Sequence, residues 1–131
     1  MLTTALNFNG TGMQALEFYS NIFGYTLTDD DVVMYSELSK SKYQEEQKDW
    51  IAHAEITVYG QRLFISDSDE AHDFRGFSLS INLTDQAELE KVYHALSEEG
   101  HVVFPLQKVK WSEAYGVLKD KLGITWQFNL D

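Results

Sequence analysis

The sequence contains no cysteine, one proline and only two arginines in 131 residues. Without cysteine, disulfides, thiolate catalysis and zinc sites built on cysteine are excluded. The N-terminal segment lacks the basic residues and the apolar run of a signal peptide, and no apolar stretch approaches the length of a membrane span. We therefore expect a cytoplasmic protein.

Negative charge dominates, since 21 acidic residues against 10 basic ones give a formal net charge of −11. Such a field repels phosphate backbones and anionic lipids, so we expect neither nucleic acid nor a membrane surface as a partner. A cationic small molecule would be attracted. The length matches one ordinary domain that buries a core without disulfides, so we expect a single domain over 1–131.

One structural plan occurs twice along the chain: a short strand, a helix closed by a glycine, then further strands. The first copy starts at Leu2 and the second at Gly76. Each half must bury one face of its sheet under its own helix. The repeat therefore predicts an α+β fold with two internal modules, at about 1–70 and 75–131.

The helix ends carry capping signals. Capping boxes are predicted at Thr11–Gln14 and at Asp85–Glu88, before two helices with apolar stripes. Gly24 and Gly100 are predicted to end these helices.

Alternating apolar and polar residues predict half-buried strands over Thr3–Phe8, His53–Tyr59, Phe77–Leu83 and Thr125–Leu130. Further strands are predicted at Tyr25–Thr28, Leu63–Ser66, His101–Phe104 and Ala114–Lys119. The segment Asp29–Asp49 is predicted to be a long loop, either a lid or padding, in which Val32–Tyr35 could add a strand. Asp67–Arg75 is interpreted as the connection between the halves, and Pro105 as the end of a strand and the start of a loop.

The polar faces of the strands carry short side chains, which leave room for a ligand. If the sheet curls, these faces line one concave cleft, and exposed aromatic residues could clamp a flat or apolar ligand there. The alternative is the solvated side of an antiparallel sheet. The candidate ligand-binding residues are Asn7, Thr57, Ser78, Ser80, Trp111, Tyr115 and Gln127.

Six short motifs follow one another in an order that resembles a known family. They are Phe8-Asn-Gly, Glu17-Phe-Tyr with Ile22-Phe-Gly, His53-Ala-Glu, Leu63-Phe-Ile-Ser-Asp, Leu106-Gln with Trp111 and Tyr115-Gly, and Asp120 with Gly123 and Trp126. Together they resemble the PhnB-like branch of the vicinal oxygen chelate superfamily, which has the glyoxalase and bleomycin-resistance fold, over nearly the whole chain. The resemblance implies two βαβββ modules that form a curved mixed sheet around a cleft, one helix on the outer face of each module, and a homodimer. One departure is Asp120-Lys-Leu-Gly, where relatives often have Asp-Pro-Phe-Gly.

The resemblance also implies a position for a metal ion. Catalytic members hold a divalent metal with two side chains from each half; carried over by position, this gives Glu55 and Gln127, with His53 on the face of Glu55. The other two positions offer no strong ligand, and a catalytic metal normally needs three. No cofactor is certain, and a divalent ion such as Zn, Ni, Mn or Fe is the alternative.

His53 and Glu55 share a strand face two residues apart, so they could form a catalytic acid–base pair suited to proton abstraction next to a carbonyl. The sequence favours the alternative, a structural pair that holds the strand, because no nucleophile or oxyanion donor accompanies them. The sequence leaves open whether the protein is an enzyme. It favours a small-molecule-binding protein over a metal-dependent lyase, isomerase or dioxygenase of the glyoxalase type.

Overall fold

The computed structural model describes all 131 residues and divides into two compact units, Met1–His72 and Asp73–Asp131. Each unit contains one four-stranded mixed sheet and one α-helix. This confirms the predicted α+β fold of two βαβββ modules. None of the helices combines the length and the apolar character that a membrane span requires.

The first unit follows the predicted plan. Its elements are β1 (Thr4–Phe8), α1 (Gly12–Phe23), β2 (Val32–Met34), β3 (Ile51–Val58) and β4 (Gln61–Asp67). The strand order is β1-β4-β3-β2, with β1 parallel to β4 and the other pairs antiparallel. The predicted loop between α1 and β3 contains β2 and four short 3₁₀ turns. Tyr25–Thr28, predicted as a strand, has no regular structure, since it pairs with no neighbouring strand.

The second unit has the same topology. Its elements are β5 (Leu79–Leu83), α2 (Gln86–Ser97), β6 (His101–Val109), β7 (Ser112–Lys119) and β8 (Thr125–Leu130). The order is β5-β8-β7-β6, with β5 parallel to β8. β6 runs through Pro105, so the prediction that this proline ends the strand was wrong. β6 is an edge strand and its pairing with β7 is irregular between Phe104 and Gln107, which removes the need for a ladder N–H at the proline.

Each unit buries the apolar face of its sheet under its own helix. In the first unit α1 packs on β3 and β4, and in the second α2 packs on β5, β7 and β8. The fully or almost fully buried side chains of these two layers include Leu6, Leu16, Tyr19, Ile56 and Ile65, and Leu89, Val92, Leu96, Leu118 and Phe128. The two-residue period of the central strands β3, β4, β7 and β8 therefore points most of their polar residues to the opposite face.

The predicted helix caps were correct at two of the four ends. Gly24 adopts the left-handed conformation, with a φ of 70°, and caps α1. The Asp85 side chain accepts hydrogen bonds from the backbone N–H groups at the start of α2. Thr11 makes no side-chain cap, because a carboxylate from β4 binds this end of α1 instead. Gly100 does not end α2, since the left-handed residue there is Glu99, with a φ of 59°.

Candidate functional site

The polar face of the first sheet, called polar face 1, gathers the alternating outward residues of β1, β3 and β4. In the strand register Asn7 lies beside Ser66, Thr57 beside Arg62, and Phe64 between Ala5 and Glu55. His53 precedes Glu55 by two residues and therefore shares its face. The members of polar face 1 are Asn7, His53, Glu55, Thr57, Arg62, Phe64 and Ser66.

An ion pair dominates polar face 1. The Arg62 guanidinium donates through Nε to Glu55 Oε1 and through Nη2, at 3.2 Å, to Glu55 Oε2. Both oxygens of the carboxylate are therefore engaged, in the fork geometry that arginine and carboxylate prefer. These hydrogen bonds hold the pKa of Glu55 below its usual value. A lowered pKa makes Glu55 a weaker base than an ordinary glutamate.

An aromatic ring lies at the centre of the same face. The Arg62 guanidinium carbon is 5.0 Å from the centroid of Phe64, a cation–π distance. The His53 ring is 4.8 Å from the same centroid, tilted by 68°. Ser66 donates to Asn7 Oδ1 at 2.7 Å. Of the predicted pair, Glu55 is thus bonded to Arg62, and His53 packs against Phe64.

The polar face of the second sheet, called polar face 2, carries a ladder of hydroxyl and amide groups. The Gln127 amide donates to Ser78 Oγ at 2.8 Å, and the Asn129 amide donates to Ser80 Oγ at 3.2 Å. Ser80 in turn donates to Asn82 Oδ1 at 3.0 Å. Every rung is a side-chain-to-side-chain hydrogen bond, and most of these groups face solvent.

Three aromatic rings border this ladder. Trp111 occupies the turn between β6 and β7, is 68% exposed, and donates its indole N–H to Asn129 Oδ1 at 3.2 Å. Its ring centroid is 5.0 Å from that of Tyr115, which is 5.6 Å from that of Phe104. An exposed indole is thereby held in place beside polar groups. The members of polar face 2 are Ser78, Ser80, Asn82, Phe104, Trp111, Tyr115, Gln127 and Asn129.

The predicted site residues divide between the two faces. Asn7, His53, Glu55 and Thr57 lie on polar face 1, whereas Ser78, Ser80, Trp111, Tyr115 and Gln127 lie on polar face 2 or at its edge.

Sequence reasoning missed Arg62 and Phe64 as members of the site. The signal was present, because both alternate with the apolar residues Leu63 and Ile65 of the strand that it predicted.

The residues do not fit a catalytic metal centre. No group of three or more histidine, aspartate or glutamate side chains is arranged to hold a metal ion. On polar face 1 only His53 and Glu55 are strong ligands, and the Glu55 carboxylate is bonded to a guanidinium. On polar face 2 the Gln127 amide is bonded to Ser78. A catalytic site needs three protein ligands, so we derive no metal-dependent step.

Comparisons with known proteins give a consistent result. A family model described as 3-demethylubiquinone-9 3-methyltransferase matches residues 1–129. The chain is 30% identical to the solved structure of PA1353 from Pseudomonas aeruginosa, with a TM-score of 0.85 over 100% of this chain and 97% of that one. It is 28% identical to a putative 3-demethylubiquinone-9 3-methyltransferase, PhnB protein, from Bacillus cereus, with a TM-score of 0.80 over 99% and 98% of the two chains. The fosfomycin resistance protein FosX from Listeria monocytogenes shares the fold at 9% identity, with a TM-score of 0.63 over 98% and 91%.

Proposed function

The chain belongs to the 3-demethylubiquinone-9 3-methyltransferase family, in the PhnB-like branch of the vicinal oxygen chelate superfamily, and from this premise we propose that it is a small-molecule-binding protein that acts without catalysis. The ligand is flat and apolar or cationic, and it binds at polar face 2. The proposal includes a homodimer in the cytoplasm, as the family resemblance and the composition predict. We do not extend the methyl transfer in the family's description to this chain.

The observation that carries the proposal is the orientation of Trp111. A tryptophan that is 68% exposed leaves a large apolar surface in water, and the 37% exposed Phe104 extends this surface beyond Tyr115. A contiguous exposed apolar patch is typical of an interaction site. The hydrogen bond to Asn129 and the edge of Tyr115 nevertheless fix the Trp111 ring. An immobilised aromatic surface beside hydroxyl and amide groups can stack on a flat ligand and bond its polar edge.

Charge sets the expected preference among flat ligands. The formal net charge of −11 gives the protein a negative long-range field, which attracts a cation more than an anion. On polar face 1 the carboxylate of Glu55 is already neutralised by Arg62, and its lowered pKa does not suit a general base. Binding is therefore better supported than proton transfer.

A fluorescence titration with proflavine, a planar cation, tests this function. We expect saturable binding to the wild type, and weakening of roughly 5- to 30-fold in Trp111→Ala, since an aromatic contact with a cation contributes about 1–2 kcal/mol. Phe77→Ala is the matched control, because Phe77 is a 46% exposed aromatic residue of the same unit outside polar face 2. Its affinity should equal that of the wild type.

Two results would contradict the proposal. Equal affinity in the wild type and Trp111→Ala would remove polar face 2 as the site, and equal affinity for naphthalenesulfonate would remove the charge preference. Binding that disappears after dialysis against a metal chelator would instead favour the metal-dependent alternative.

A further inference from the structure

A pocket of about 460 Å³ lies in the first unit and shares no lining residue with polar face 1. Val32 of β2 lies beside Ala54, which is fully buried on the helix side of the sheet, whereas Val33 lies beside the exposed His53. Helix α1 packs on β3 and β4, and β2 is the edge strand next to β3. The pocket is the space between α1 and this edge strand.

Apolar side chains form most of the pocket wall. The lining residues are Met13, Leu16, Leu27, Thr28, Asp29, Val32, Met34 and Glu37. The volume lies within the range of pockets that take small organic molecules. Two of the five apolar residues are methionines, whose flexible thioethers adapt to ligands of different shape. The wall therefore suits a hydrocarbon group rather than a fully hydrated ion.

The polar part of the lining is anionic. Asp29 and Glu37 are its two charged members, and none of the eight residues is basic. The Met34 backbone N–H donates to Glu37 Oε2 at 2.7 Å, which fixes this carboxylate beside the apolar wall. Beside Asp29, the Asp31 carboxylate accepts from the Thr28 backbone N–H at 2.9 Å. These carboxylates give this side of the pocket a negative field, which favours a cationic ligand over an anionic one.

We propose that this pocket is a second binding site, which takes a small organic cation with an apolar body. The ammonium group lies at Asp29 and Glu37, and the hydrocarbon part lies against Met13, Leu16 and Met34. This site is independent of polar face 2, because its residues belong to the first unit and to the helix side of the sheet.

The three methionines of the chain provide an internal test by NMR of isotope-labelled methyl groups. Met13 and Met34 line the pocket, whereas the Met1 sulfur lies 3.9 Å from Arg62 Nη1 at polar face 1. The probe is benzyltrimethylammonium, with benzyl alcohol and benzenesulfonate as neutral and anionic comparisons. We expect saturable shifts of the Met13 and Met34 signals with the cation and an unchanged Met1 signal.

Charge variants test the anionic wall. In the double variant Asp29→Asn with Glu37→Gln, we expect the affinity for benzyltrimethylammonium to fall about tenfold. Each of the two partly solvated ion pairs contributes a factor of about three to the affinity, and the two factors multiply. Asp30→Asn is the matched control, because it makes the same kind of charge change next to Asp29 at a residue that does not line the pocket. Its affinity should change less than about twofold.

Four outcomes would overturn the proposal. The first is no saturable shift of Met13 or Met34, and the second is a shift of Met1 alone, which would place the cation on polar face 1. The third is equal binding of all three probes, which would show an apolar pocket without charge selection. The fourth is a dependence of the Met13 and Met34 signals on protein concentration without ligand, which would mean that a second copy of the chain covers the pocket.

Discussion

Replacement of Asp67 by alanine should destabilise the first unit more than any substitution on its polar face. Asp67 is the last residue of β4 and is 3% exposed. Its Oδ1 accepts the backbone N–H groups of Gly10 and Gly12, at 2.9 and 2.8 Å, and its Oδ2 accepts that of Ile51 at 2.8 Å. One carboxylate thus connects the start of α1 to the start of β3.

The size of the effect follows from these three bonds. A hydrogen bond to a charged group contributes about 1.5–3 kcal/mol, and each buried N–H left without a partner costs about 1–3 kcal/mol. These terms overlap, so they do not add in full, and we take a total of about 3–5 kcal/mol for Asp67→Ala. For a chain of 131 residues this corresponds to a fall in melting temperature of roughly 10–18 °C.

Calorimetry or circular dichroism during heating measures this change. Asp67→Asn should give an intermediate loss of about 2–3 kcal/mol. The amide oxygen can still accept from the backbone N–H groups on one side, whereas the amide NH₂ group faces a backbone N–H donor on the other side and cannot bond to it. Asp69→Ala is the matched control: it removes the same charge two residues away, at an exposed side chain, and should change stability by less than about 0.5 kcal/mol.

A melting temperature for Asp67→Ala that lies close to the wild-type value would refute this reasoning. It would mean that water replaces the carboxylate at no cost, although the three N–H groups lie at the junction of α1, β3 and β4. An equal loss in both variants would point to net charge rather than to the hydrogen bonds.

Two further predictions concern single polar groups. Arg62→Gln should raise the pKa of Glu55 towards its ordinary value, measured by NMR titration of the carboxyl carbon. A carboxyl whose pKa is lower in the folded state stabilises the fold at pH values above its unfolded pKa, and this contribution is lost as the pH falls through the folded pKa. Because Arg62→Gln removes the cause of the lowered pKa, the free energy of unfolding of this variant should depend less on pH in the acid range. Asp120→Ala should cost about 3–5 kcal/mol, because a buried carboxylate there accepts the Ile124 N–H at 3.1 Å and the Trp126 indole N–H at 2.8 Å. Heating curves and a shift of the tryptophan fluorescence would show it, and an unchanged melting temperature would contradict it.

Local patterns were sufficient to predict most of the fold. The strand predicted at Thr125–Leu130 has the observed bounds of β8, and the apolar stripe of α2 is buried as predicted. These elements are encoded by periodicity, because a two-residue or a three-to-four-residue spacing fixes one buried face. The prediction at Pro105 was wrong because a proline is tolerated inside a strand that lies at the edge of a sheet. No local pattern in the sequence reports that β6 is such an edge strand.

The role of Asp67 could not be predicted from the sequence for a similar reason. Acidic residues follow it, so it was interpreted as the start of a connection. Its bond to Gly12 spans 55 positions, and Thr11 offered a plausible local cap. The choice between the two caps depends on tertiary packing, which places the end of β4 beside the start of α1.

The placement of the candidate residues on the strands could be predicted in part. The spacing of His53 and Glu55 correctly placed them on one strand face, because side chains two apart point the same way. Their partners Arg62 and Phe64 come from the next strand, and which residue of β4 meets Glu55 depends on the hairpin register. The sequence indicated which groups are outward, but not which groups meet.

The hydrogen bonds separate the polar groups that hold the fold from those available to a ligand. Asp67 and Asp120 are buried and bind backbone N–H groups, so no solvent molecule or ligand can replace them without loss. On polar face 2 the hydrogen bonds of the Gln127 amide and the Trp111 indole go to other side chains, Ser78 and Asn129, at a solvated surface. Such bonds can be exchanged for bonds to a ligand at little net cost, because water already competes for the same groups. The polar faces can therefore change in sequence while the two buried aspartates keep the architecture.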